Sequence, residues 1–292
     1  PGPMKHEGPY LLGVDGGTES LRAGIFDLMG TPLAYASTSY PTHFPNPAWA
    51  EQDPNDWWKA LGASVRDVVE KSSIRPEEIL AMALDTTCCS VVALDQQGNP
   101  LRPCLIWMDM RSAPQTDKVV ATGDAALRVN SNGKGPVSAE WMIPKALWIR
   151  DNEPEIFERA ETICEYQDYL NLHLTGRKTA SINNTSCRWH YDRSRGGIPE
   201  SLLEKLGLSA LARKWPQGPS SGSGRCGCLH RHGWSGSGPP GQSGLHHWFI
   251  APSSRFKRNA VSRNRRLGHL WGCAASRNAC RRGGPDFHRF GG

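Results

Sequence analysis

No run of the 292-residue chain approaches the ~18 consecutive apolar residues that a bilayer-spanning helix requires. A helical membrane span is therefore excluded by the sequence. The first residues, Pro1 to Glu7, lack the apolar stretch of a secretory signal, so a cytoplasmic location is the expectation. Nine cysteines are present, yet Cys88, Cys89, Cys104, Cys164 and Cys187 show no framework spacing. The vicinal Cys88 and Cys89 do not bridge easily, so reduced thiols are expected. The poorest stretch is the last 75 residues, which contain no Glu, Thr, Met or Tyr and one acid, Asp286, against 12 Lys and Arg. Of 34 basic and 28 acidic residues in the whole chain, the first 217 keep 22 and 27. The net charge of +6 averages two unlike segments and by itself names no partner. The change falls near Gln217.

The front segment holds eight of the eleven Trp and regular apolar periods. Tyr10 to Val14 is a short apolar run ending at the turn Asp15-Gly16-Gly17-Thr18. Leu21, Ala23 and Ile25 then alternate with Arg22, Gly24 and Phe26, and Leu33 to Tyr40 makes a third strand, giving an antiparallel meander. Asp53-Pro54-Asn55-Asp56 is a helix start, followed by Trp57, Trp58, Leu61, Val65, Val68 and Val69 at helical spacing. Ile79 to Leu84 reads as a strand running into Asp85-Thr86-Thr87-Cys88-Cys89. Val91–Leu94 and Leu105–Trp107 read as a hairpin about a turn at Gln97 to Pro100, and helices are expected at 143–150 and 167–174. Strands followed by alternating helices and strands imply an α/β domain on a mixed sheet.

The first turn has a chemical rationale. Glycines let backbone N–H groups approach phosphate oxygens closely. Asp15 would hold a magnesium ion through water, Thr18 would donate to a phosphate and Arg22 would neutralise it. An ordinary glycine hairpin is the alternative.

Taken together, the motifs are more specific than any one alone. Gly13 to Ala23, Trp49 to Pro54 with Trp57-Trp58, Arg102-Pro103 through Trp107 to Arg111, Pro144 to Trp148, and Asp168-Tyr169-Leu170 with Leu174-Thr175-Gly176 resemble the N-terminal domain of the FGGY carbohydrate kinases. The resemblance covers residues 10–217 and is strongest to ketopentose kinases of the ribulokinase and xylulokinase type. It implies a ribonuclease H-like/actin-like ATPase fold and ATP- and Mg²⁺-dependent phosphorylation of a sugar hydroxyl, with a homodimer in full-length relatives. It assigns Asp15, Gly16, Gly17, Thr18 and Arg22 to phosphate and magnesium. Thr87, Cys88, Trp107, Asp109, Arg111, Glu140 and Lys145 would line the sugar site. Structural roles are the alternatives: core packing for Trp107, a local ion pair for Asp109 and Arg111, and a solvated helix charge for Lys145. Cys88 and Cys89 stand where several relatives carry polar sugar contacts, which leaves the sugar open.

Residues 218–292 admit three readings. One is a basic nucleic-acid-binding arm. Another is a metal module, but Cys226-Gly227-Cys228 with His230 and His232 lacks the usual ligand spacing. The third is the same gene read one nucleotide out of phase. Back-translated and shifted by one base, three stretches permit family-like segments in the family's order: Gly224 to Gly233, His246 to Phe256 and Arg277 to Gly292. The frameshift is the favoured reading, with some sequence missing at the junction. Such a tail has few apolar residues at any period and is expected to be disordered, as is a leader over residues 1–9. In the family, the resemblance implies, an aspartate from late in the first lobe takes the hydroxyl proton and most of the adenine site belongs to a second lobe. The chain is thus expected to lack a catalytic residue of its own: an inactive, truncated kinase with no nucleic-acid or membrane partner. Its rivals are an actin-like domain with a basic nucleic-acid-binding tail and a non-catalytic sugar-binding protein.

Overall fold

The computed structural model describes residues 8–130 and 135–216. The expectations for residues 1–7 and for the tail, 218–292, lie outside the described residues. Strands β1 (Tyr10–Gly16), β2 (Ser20–Phe26) and β3 (Pro32–Ser39) form the expected antiparallel meander. Tyr10, Leu12 and Val14 are buried while Asp15 is exposed; successive strand side chains point to opposite faces. A two-residue β4 (Glu51–Gln52) precedes helix α1 (Pro54–Ser72), and β5 (Ile79–Thr86) returns parallel to β1. The first sheet is therefore mixed, in the order β3-β2-β1-β5.

Helix α1 starts where the sequence says it should. The Asp53 side chain accepts the Asn55 N–H at 2.9 Å, and Pro54 occupies the first turn, where its missing N–H leaves nothing unpaired. Trp57, Leu61, Val65 and Val68 are buried against β2 and β3. The helix ends at Ser73 in a left-handed conformation with φ 55°, a common cap geometry.

A second, antiparallel sheet, in the order β4-β7-β6-β8, adds β6 (Val91–Leu94), β7 (Cys104–Leu105) and β8 (Thr162–Glu165). The expected hairpin strand at 105–107 is corrected here. β7 ends at Leu105: the Ile106 N–H still bonds the Ala50 carbonyl at 3.2 Å, in register with the Glu51–Leu105 pair, and the chain then turns, the Asp109 N–H closing on the Ile106 carbonyl at 2.9 Å. Trp107 therefore projects from the end of the sheet and is 37% exposed rather than core.

Around these sheets lie α2 (Ala113–Ala121), α3 (Met142–Asn152), α4 (Pro154–Arg159), α5 (Tyr166–Thr175), α6 (Ile182–Arg188), α7 (Glu200–Lys205) and α8 (Ala210–Lys214). α3 and α5 contain the two helices expected from the sequence, and α5 stops at Gly176 with φ 69°. One core, with Leu21, Ile25, Trp57 and Tyr166, joins the first sheet to α1 and α5. The other, with Leu105, Ile143, Leu147 and Trp189, joins the second sheet to α3 and the later helices. No helix among the described residues is long and apolar enough to cross a membrane.

Candidate functional site

The turn after β1 forms an exposed rim. Asp15 and Arg22 lie opposite each other on β1 and β2 and form an ion pair of 2.8 Å, with side chains 54% and 60% exposed. Neutral donors support the turn from below. The Tyr40 hydroxyl donates to the Gly17 carbonyl and lies 3.2 Å from the Tyr166 hydroxyl. Gln52 donates to the Thr18 carbonyl at 2.7 Å and itself accepts the Trp57 indole N–H at 2.9 Å. Burial pushes Tyr40 up to about 12, so its hydroxyl remains a donor at neutral pH. Gly16 has a packing reason to be glycine. A β-carbon there would sit 2.8 Å from a Tyr166 ring carbon and 3.0 Å from Thr86. The Gly17 N–H is held by the Ser20 carbonyl at 3.0 Å.

The candidate sugar wall meets this rim at Trp107 and at Thr87. The Trp107 indole N–H donates to the Thr18 hydroxyl at 3.0 Å, linking residues 89 apart in sequence. The Thr87 N–H donates to the Gly16 carbonyl at 2.9 Å, so the end of β5 is tied to the same turn. Cys88 and Glu140 are half-buried, with the Glu140 N–H donated to the Ser138 hydroxyl at 3.2 Å.

The remaining charged candidates lie behind the wall. Asp109 and Arg111 are buried and pair at 2.8 Å, the ion pair that the structural alternative anticipated. Arg111 also pairs with Glu51 at 2.8 Å and stacks on the Trp49 ring at 3.7 Å, while Asp109 accepts the Ala50 N–H at 2.7 Å. Lys145 is neither a solvated helix charge nor an exposed wall residue. It is fully buried, and its ammonium donates to the carbonyls of Cys89 at 2.8 Å and Ile106 at 2.6 Å. It thus joins the loop carrying Cys88 to the residue preceding Trp107.

Glu165 completes this arrangement and was not singled out from the sequence. It is buried at the end of β8 and accepts the Cys89 N–H at 2.8 Å and the Trp189 indole N–H at 2.5 Å. Cys89 is gripped at its amide by Glu165 and at its carbonyl by Lys145, and it holds a left-handed φ of 65°, a strained conformation for a residue with a β-carbon. Burial pushes Glu165 up to about 8 and Lys145 down to about 8. Burial also raises the neighbouring Asp168 to about 7, although it accepts the N–H groups of Ser181 and Glu165. The signal available in sequence was Glu165 closing an otherwise apolar strand. Gln52 lies inside the Trp49–Pro54 motif, but nothing in its sequence neighbours reveals that it supports the turn.

Residues 10–217 match the FGGY family of carbohydrate kinases, N-terminal domain. The chain is 31% identical over 203 residues to a xylulose kinase of Streptomyces rubiginosus and 27% identical over 203 residues to a glycerol kinase of Thermococcus onnurineus. These matches cover 69% and 68% of the chain, and the chain spans 41% of the length of each relative. The crystal structure of a xyloylose kinase from Brucella ovis superposes with a TM-score of 0.64 at 28% identity, covering 72% of this chain and 42% of that one. The α/β actin-like ATPase fold expected from the motifs is thus the fold found over the matched residues.

Proposed function

The chain belongs to the FGGY family of carbohydrate kinases, and from that premise we propose that residues 10–217 form the sugar- and phosphate-holding part of a kinase. Its substrate would be a hydroxyl of a ketopentose such as xylulose or ribulose, with ATP and Mg²⁺ as cofactors. The supporting observation is the hydrogen bond from Trp107 to Thr18, which sets the sugar wall directly against the phosphate turn. In-line transfer between a sugar hydroxyl and a phosphoryl group needs that adjacency, because positioning and charge stabilisation carry most of the catalysis.

Asp15 suits a hydrated magnesium ion, which keeps most of its waters and typically takes one or two carboxylates plus phosphate oxygens. Its carboxylate is exposed at the rim, beside Arg22. Bound there, magnesium would neutralise phosphate charge. Thr18 would donate to a phosphate oxygen, and the backbone of Gly16 and Gly17 would shape the turn. Thr87, Cys88, Trp107 and Glu140 would face the sugar. Asp109, Arg111 and Lys145 would act as positioning residues, fixing the chain on which Trp107 and Cys88 sit.

The 292-residue chain is proposed to bind without turnover. The family's proton acceptor and adenine site would belong to sequence that the segment after Gln217 does not carry in its present frame. Loss of a general base alone lowers the rate by roughly 10²–10⁴-fold. The test is a pair of measurements on the purified full chain: calorimetric titration with D-xylulose and D-ribulose, and sugar-dependent ADP release with contaminating kinase excluded. Saturable binding with no ADP release is the expected result. ADP release would overturn the inactive reading, and absence of binding to both sugars would overturn the ketopentose reading.

A further inference from the structure

Adjacent residues on an extended chain point their side chains to opposite sides, so neighbouring cysteines ordinarily do not present two sulfurs to one ligand. Cys88 and Cys89 depart from this pattern. Their Sγ atoms lie 3.7 Å apart with the Cys89 thiol donating to Cys88, and Cys88 is only half-buried. The cause is the left-handed turn at Cys89, φ 65°, held by Glu165 at the amide and Lys145 at the carbonyl. Two elements remote in sequence, β8 and α3, therefore fix the conformation that turns both thiols together.

We propose that Cys88 and Cys89 form a preorganised dithiol site for trivalent arsenicals, with the arsenic bridging the two sulfurs. With phenylarsine oxide, both S–H bonds and the As–O linkage are lost, two As–S bonds form and one water leaves. Arsenic stays trivalent, so no oxidant or reductant is needed. Cys88 would attack first, being the more accessible. The hydrogen bond from the Cys89 thiol, and then the charge of Arg188, hold its pKa below the usual thiol range, which raises the thiolate fraction. Ring closure then needs little movement of Cys89, and a preorganised ligand pair loses little freedom on binding. Cys104 and Cys164 are buried singly in the core and provide internal controls. The inference rests on the thiols and their clamp, independently of the kinase reading.

The experiment treats the folded full chain with one equivalent of phenylarsine oxide, challenges it with excess glutathione, and cleaves it on the N-terminal side of aspartate. The fragment from Asp85 to Leu94 contains Cys88 and Cys89 and no other cysteine. The expected result is a glutathione-resistant adduct on this fragment, released by a dithiol. In C88S and C89S, retention should fall on the order of 10²-fold, the benefit of a second tethered ligand. E165Q should slow closure without removing either thiol, and the rate at which iodoacetamide labels Cys88 reports whether that variant keeps the local fold. An adduct confined to other cysteines would overturn the proposal. So would one removed from Asp85–Leu94 by glutathione as readily as from the single-thiol variants.

Discussion

The rim and the wall of the candidate site are built on opposite electrostatic plans. At the rim, the charged residues Asp15 and Arg22 are more than half exposed, and the supporting groups, Tyr40, Gln52 and Trp107, are neutral. Behind the wall, the charged residues are the support: Asp109, Arg111 and Lys145 are all buried, with their partners supplied by the protein. A charge left in water remains available to a ligand at little cost to the fold. A charge taken into the interior is held there only by its partners, and removing one strands the other. The same residue types in one motif set can therefore serve opposite ends.

The sharpest way to break this contrast is to remove Arg111. R111A would leave Asp109 buried without its cation, and a loss of about 3–5 kcal/mol is expected, read from the midpoint of urea unfolding. Retention of wild-type stability would show that the wall charges are not structural.

The next effect is on pH. The folded carboxyl of Glu165 titrates at about 8 against an ordinary 4.5, so between these values the folded chain binds a proton that the unfolded chain does not. Stability should therefore fall as pH rises through that window. Asp168, raised from 3.8 to about 7, contributes a similar fall that ends earlier. Lys145 works in the opposite sense, its folded value near 8 lying below 10.5, so its contribution rises with pH above about 8. E165Q should flatten the fall, most visibly between about 7 and 8, where Asp168 no longer contributes. An unchanged pH profile in E165Q would remove Glu165 from the account.

The smallest effect belongs to the rim. R22A should change stability by no more than about 1 kcal/mol, because an exposed pair is screened by water and salt. A loss comparable to that of R111A would erase the distinction between the two regions.

The exposed half of this design was the more legible in sequence. Asp15, Gly16, Gly17 and Thr18 sit at a turn marked by glycine between two alternating strands, and the cap at Asp53-Pro54 located α1 to the residue. The wall was legible only as a set of motif residues, without their burial. Met142 to Ile149 are buried all round α3, so no amphipathic stripe announces that Lys145 points inward. β7 is shorter than its apolar run suggests, because apolar character continues through Trp107 while the backbone turns after Ile106. Glu165 acts on Cys89 across a separation of 76 residues, and a pairing of that kind is set by topology rather than by local pattern.

The central proposal is that Trp107, hydrogen-bonded to Thr18 of the phosphate turn, forms part of a sugar wall set against that turn. Calorimetric titration of D-xylulose and D-ribulose into the wild-type chain and into W107F, with unfolding midpoints confirming that both are folded, tests it most directly. The expected result is saturable binding of one ketopentose that weakens about tenfold or more in W107F, equivalent to about 1.4 kcal/mol. Equal affinity in the two chains, or no binding to a folded wild-type chain, would contradict it.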